Sequence, residues 1–93
     1  MTVGASAAGT PHVVLLSKPG CHLCDEARVI VAAITAEFGI GFVERDIRAD
    51  PEDLREYGEL IPVVLVNDIE VGHWRITADQ LRAALRAGSS RPA

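Results

Sequence analysis

Basic charge is scarce in this chain. Nine Lys and Arg residues stand against thirteen Asp and Glu, a formal net charge of −4, so there is no cationic field to gather phosphates. Neither nucleic acid nor an anionic membrane surface is an expected partner. Long apolar runs are missing as well: nothing approaches the roughly 20 residues that cross a bilayer. The stretch from Met1 to Thr10 has neither the basic start nor the apolar segment of a secretory leader. The expected location is the cytoplasm. Cysteine is limited to two residues, and in a reducing compartment such a pair points to catalysis, redox sensing or metal binding rather than to a structural crosslink. With 93 residues and 48% hydrophobic content, the chain can close one core and not two.

What is present falls into short periodic pieces. Residues 1–10 are small and Gly-rich, with too little apolar surface to offset an ordering entropy of about 1–2 kcal/mol per residue, and are expected to form a loose tail. His12 to Ser17 is a β-branched apolar run, the pattern of a central strand buried on both faces. After the Lys18-Pro19-Gly20 loop, apolar residues at 23, 27, 30, 31, 34 and 38 make one helical stripe. That helix begins at the cysteines and ends at Gly39. Residues 40–47 mix Phe42, Val43 and Ile47 with Glu44, Arg45 and Asp46, as an edge strand does.

Asp50 as N-cap, Pro51 at the first helical position and the acids Glu52 and Asp53 announce a short second helix, stopped by Gly58. Ile61-Pro62 opens the apolar run Val63 to Val66, a third strand that can hold proline only at its start. Asn67-Asp68 is a tight-turn pair, and Ile69 to Trp74 returns as a fourth strand. Thr77 and Gln80 have capping-box spacing, Leu81, Ala84 and Leu85 continue an apolar face, and Gly88 follows the helix end. Ser89 to Ala93 is expected to fray. The order β-α-β-α-β-β-α predicts an α/β domain over residues 11–88 with a four-stranded mixed sheet flanked by helices. Its first half is parallel with a right-handed crossover, and its second half is a hairpin.

Cys21-His22-Leu23-Cys24 falls where a strand and loop meet the first turn of a helix. Unsatisfied amides point outward there and favour an anion by about 0.3–1 kcal/mol, up to about 2 when partly buried, which is roughly one pKa unit for Cys21. Cys24 lies nearly one turn further in on the same side, placed to reach back to a mixed disulfide at Cys21. Asp25 and Glu26 oppose a nearby thiolate and are expected to offset part of that gain. His22 is a candidate to add positive charge below its own pKa. A structural zinc site is not expected, because four ligands are normal and the chain has no second CxxC and only His12, His22 and His73 to help.

Pro62 marks a second element of the site. X-Pro bonds are cis in only about 5–6% of cases in folded proteins, yet neighbouring first and third strands bring the loop before Val63 close to the loop holding Cys21. A cis bond there turns the Ile61 amide and carbonyl outward, toward a bound peptide or thiol compound.

With Ser17-Lys-Pro-Gly-Cys-His-Leu-Cys24, Ile61-Pro62-Val63 and this order of elements, the chain from His12 to Gly88 resembles the glutaredoxin-like group of the thioredoxin superfamily. It is most similar to small bacterial glutaredoxin-like domain proteins with the C-H-L-C-D motif. The resemblance implies a thioredoxin-like fold, Cys21 as nucleophile, Cys24 as resolving thiol and Pro62 as a cis-proline. It also places Lys18 where glutaredoxins contact the glutathione carboxylate. One departure is plain: glutaredoxins usually carry a Gly-Gly pair and an Asp after the fourth strand, whereas Gly72 is followed here by His73-Trp74-Arg75. His73 crowds that groove, and Trp74 and Arg75 are candidates for a different substrate platform.

The leading expectation is a monomeric thiol–disulfide oxidoreductase with no cofactor beyond its redox-active disulfide. It acts on a protein disulfide or on a low-molecular-weight thiol, glutathione or another, and is reset by a reductase or thiol reductant. Two alternatives stand beside it. One is an iron–sulfur or metal carrier in which a dimer contributes Cys21 from each chain. The other is a redox-responsive interaction domain without turnover.

Overall fold

In the computed structural model, which describes residues 10–89, β1 (Val13–Ser17) is buried along its whole length. It is followed by α1 (His22–Glu37), β2 (Val43–Asp46), a 3-10 turn over Ile47–Ala49, α2 (Pro51–Tyr57), β3 (Val63–Val66), β4 (Ile69–His73) and α3 (Ala78–Ser89). The four strands lie in the order β2-β1-β3-β4. β1 runs parallel to β2, with Val14 opposite Val43 and Ser17 opposite Asp46, and antiparallel to β3, which in turn pairs antiparallel with β4. A bulge at Val64/Leu65 interrupts the last pairing. No helix among the described residues is long and apolar enough to cross a membrane.

Strand pleating divides the interior in two. Val13, Leu15, Val64 and Val66 point to one face and pack with Val31 and Ile34 of α1 and Leu81 and Leu85 of α3. Val14, Leu16, Val63 and Leu65 point to the other, where they meet Ile47, Ile61 and Cys24. Both central strands are thus covered on both sides, which is why they read as continuous apolar runs.

The local signals act where the sequence puts them. The Asp50 side chain accepts from the Glu52 amide at 2.8 Å and caps α2 with Pro51 at its start. Thr77 and Gln80 cap α3 reciprocally, each side chain taking the other's amide at 3.1 Å. Asn67 and Asp68 both have positive φ, 52° and 68°, the backbone of a two-residue hairpin turn with matching twist. Gly39, at φ +70°, closes α1.

Three boundaries differ from expectation. Residues 40–42 lie outside β2, and Ile47 leaves it for the 3-10 turn, because the Asp46 carboxylate accepts from the Arg48 amide at 2.8 Å and bends the chain. β4 ends at His73, since Trp74 has φ +60°, which a strand cannot hold. α3 runs through Gly88 to Ser89; one glycine in a last turn costs about 1 kcal/mol relative to alanine and does not stop a packed helix. The loose tails expected at 1–10 and 89–93 lie outside the described residues except at Thr10 and Ser89.

Candidate redox site

The site is built at the exit of β1. Gly20, at φ +78°, makes a turn that other residues rarely adopt, and it delivers Cys21 to the N-cap of α1 with extended backbone angles of −93° and 111°. The Cys24 amide donates to Cys21 Sγ at 3.2 Å, and the two residues are joined as a disulfide with their Cα atoms 5.1 Å apart. Their surroundings differ. Cys21 is half-buried, whereas Cys24 is 0% exposed within the second core cluster, so an incoming molecule can reach only the first sulfur.

Facing them is the loop before β3. The Ile61–Pro62 peptide is cis, and Ile61 belongs to the cluster against which Cys21, Tyr57 and Leu60 pack. Among the described residues, no hydrogen bond engages the Ile61 main chain. The flanking carbonyls are engaged: the Trp74 amide donates to Pro62 O at 2.9 Å and to Leu60 O at 3.2 Å. Trp74 Nε1 donates to Glu59 O at 2.9 Å. The Trp74 side chain nonetheless stays 52% exposed and meets the His73 ring edge-to-face at 5.0 Å. His73 Nδ1 lies 2.6 Å from Glu70 Oε2. Burial, followed by the nearby charge of Glu56, pushes the Tyr57 phenol above its ordinary pKa.

The remaining candidates spread around this centre. Lys18 is exposed and lines a shallow depression of about 350 Å³ with Ser17, Asp25, Arg28 and Glu44. Arg75 is exposed beyond Trp74. His22 is 87% exposed, and its Nε2 leans along the helix to within 3.6 Å of the Glu26 carboxylate.

Of the two acids Asp25 and Glu26, Asp25 lies in the first turn and is paired with a permanent cation. Asp25 Oδ1 accepts from Arg28 Nη1 at 2.8 Å. Arg28 in turn forks onto Glu44, with Nε to Oε1 at 2.7 Å and Nη2 to Oε2 at 2.6 Å. The buried Ser17 hydroxyl donates to the same Oε2 at 2.6 Å. The Glu44 carboxyl is held below its usual range mainly by Arg28, and the guanidinium is raised above its own, first by Glu44 and then by Asp25. This network escaped the sequence reading. The Asp25–Arg28 spacing of three is a helical neighbour signal, but Ser17 and Glu44 meet only through strand register.

Residues 12–86 match the family model described as a glutaredoxin-like domain (DUF836). The chain is 30% identical over 78 residues to the uncharacterized protein Rv0508 of Mycobacterium tuberculosis, covering 78% of this chain and 80% of that one. Among solved structures, the X-ray structure of protein XcR50 from X. campestris is similar at a TM-score of 0.67 with 32% identity, covering 81% of this chain and 96% of that one. Ne2328 from Nitrosomonas europaea gives 0.71 with 22% identity over 81% and 91% of the two chains. Fasciola hepatica thioredoxin gives 0.62 with 20% identity over 90% and 86%. The last two likenesses are of fold.

Proposed function

This chain belongs to the glutaredoxin-like domain family of the thioredoxin superfamily, and from that premise we propose that it is a thiol–disulfide oxidoreductase working by a dithiol mechanism. The observation that carries the reading is the unequal exposure of two bonded sulfurs, one half-open at a helix start and one enclosed beneath it.

In the reduced protein, the Cys21 thiol loses its proton to solvent and the thiolate attacks one sulfur of a substrate disulfide. A Cys21–substrate disulfide forms, and the other substrate sulfur leaves as a thiolate that takes up a proton. Cys24 then deprotonates and attacks Cys21 Sγ, closing the intramolecular disulfide and releasing the second substrate thiol. The substrate gains two electrons and two protons, and the cysteine pair loses them. A reductase dithiol or two small thiols return them by the reverse exchange. The amide that donates to Cys21 Sγ stabilises the thiolate both as attacker and as leaving group.

The unengaged Ile61 main chain offers a donor and an acceptor to extended polypeptide beside the attacking sulfur, which favours a protein disulfide as substrate. Pro62 holds that loop, while Trp74, Arg75, Lys18 and His22 border the approach. The reaction suits a single chain in the reducing cytoplasm.

Trapping tests the reading. Cys24→Ser is expected to accumulate a mixed disulfide with substrate, and Cys21→Ser to abolish both trapping and disulfide reduction. Equal loss of trapping in both variants overturns the assignment of roles, and failure of the reduced wild-type protein to turn over any disulfide overturns the activity.

A further inference from the structure

Titratable groups from several elements lie near the start of α1, and Arg28 links two of the carboxylates among them. From α1 come His22, Asp25, Glu26 and Arg28, from the preceding loop Lys18, from β2 Glu44 and Asp46, and from α2 Tyr57. His22 and Glu26 face each other at 3.6 Å, and Asp46 is held by Arg48 at 2.8 Å. The imidazole offsets Glu26 only when it carries a proton, so Asp25, Glu26 and Glu44 stand against Lys18 and Arg28. Asp25 lies four residues beyond Cys21, on the same face of the first turn, where a bare carboxylate works against a thiolate.

We propose that Arg28 is a positioning residue for the chemistry: by pairing with Asp25 and Glu44 together, it weakens their opposition to a thiolate at the helix start and so eases ionisation of the Cys21 thiol. The inference rests on the reading of Cys21 as the attacking sulfur. Arg28 suits the role because three of its nitrogens are engaged at once. Two grip Glu44, itself fixed by the buried Ser17 hydroxyl on β1, and the third reaches Asp25. Such a fork keeps the guanidinium in one place, as a single flexible ammonium cannot. Without it, two carboxylates remain uncovered in the depression lined by Lys18, Pro19 and Gly20, the loop that delivers Cys21 to α1, with Lys18 alone to balance them.

The test is the pH profile of iodoacetamide alkylation of the reduced wild-type protein, with mass spectrometry to assign the label to Cys21. Arg28→Gln is expected to raise the midpoint by about half a unit to one unit, the size of one charge acting over a helical turn in a partly aqueous medium. Arg28→Lys, which keeps the charge but not the fork, is expected to recover part of the wild-type value. Asp25→Asn, which leaves the grip on Glu44 intact, should lower the midpoint by about half a unit. An unmoved midpoint in Arg28→Gln, or a lysine variant that behaves like glutamine, overturns the proposal. If Arg28→Gln does not fold, Asp25→Asn decides alone, and no shift there overturns it too. Turnover is not part of this readout, so an inactive wild-type protein refutes the oxidoreductase reading without touching the midpoint.

Discussion

The indole of Trp74 is fastened to the main chain of Glu59 by a 2.9 Å hydrogen bond, and the Trp74 amide grips the Leu60 and Pro62 carbonyls on either side of Ile61. A residue at positive φ just past the end of β4 therefore fixes the loop that faces the sulfurs. Trp74→Phe keeps an aromatic ring and removes one half-exposed hydrogen bond, so it is expected to cost about 0.5–1 kcal/mol. Urea unfolding monitored by circular dichroism checks the value; a loss indistinguishable from zero means the indole bond does not anchor the loop.

The reciprocal cap on α3 gives a second prediction. Thr77→Ala removes the hydroxyl that takes the Gln80 amide and is expected to lower stability by about 1 kcal/mol, while Thr77→Ser retains most of it. Thermal melts of the three proteins separate the lost cap from a general packing defect, since serine and alanine have similar bulk.

At the hairpin, Asn67 is bound twice to His12: its amide donates to the His12 carbonyl at 2.8 Å and its side-chain oxygen accepts from the His12 amide at 2.9 Å. Asn67→Ala loses the second bond and forces an alanine to φ 52°, a combination expected to cost about 1–3 kcal/mol. Asp68→Gly, at φ 68° with no such bond from its side chain, is expected to be nearly neutral in the same assay.

Acid should act through Glu44. Its carboxyl is depressed in the folded protein, chiefly by Arg28, so its stabilising effect is complete above the ordinary glutamate pKa of about 4.3 and fades as the pH falls through the lower folded value. Glu44→Gln is expected to melt below wild type at neutral pH, with the gap closing as the pH falls below about 4.3. A gap that stays constant over that range shows that the charge of Glu44 does not contribute.

Features set by a few adjacent residues were legible in the sequence: the Asp50-Pro51 start, the Thr77/Gln80 box, the Asn67-Asp68 turn and the buried runs of β1 and β3. Each is decided by the backbone groups of its own segment, so chain order carries the information. The Ser17–Glu44–Arg28–Asp25 network was not legible, because Ser17 and Glu44 are 27 positions apart and meet only once β2 takes its parallel register beside β1. Trp74 was hidden for a related reason: nothing in its neighbours marks a tryptophan for positive φ, and its partners Glu59, Leu60 and Pro62 become near only when β3 and β4 pair. The end of β2 was misjudged because Ile47 is apolar enough to extend a strand, while the Asp46 cap that diverts it competes at the same spot.

Cys24 packs among Val14, Leu16, Ile47, Val63 and Leu65 with none of its surface in water. Opening its bond to Cys21 places a thiol hydrogen, and a sulfur no longer tethered, inside a close-packed hydrocarbon layer. The redox state of the cysteine pair thereby bears on packing in the middle of the sheet. Reduction is therefore expected to be felt in the protein's interior as well as at its rim.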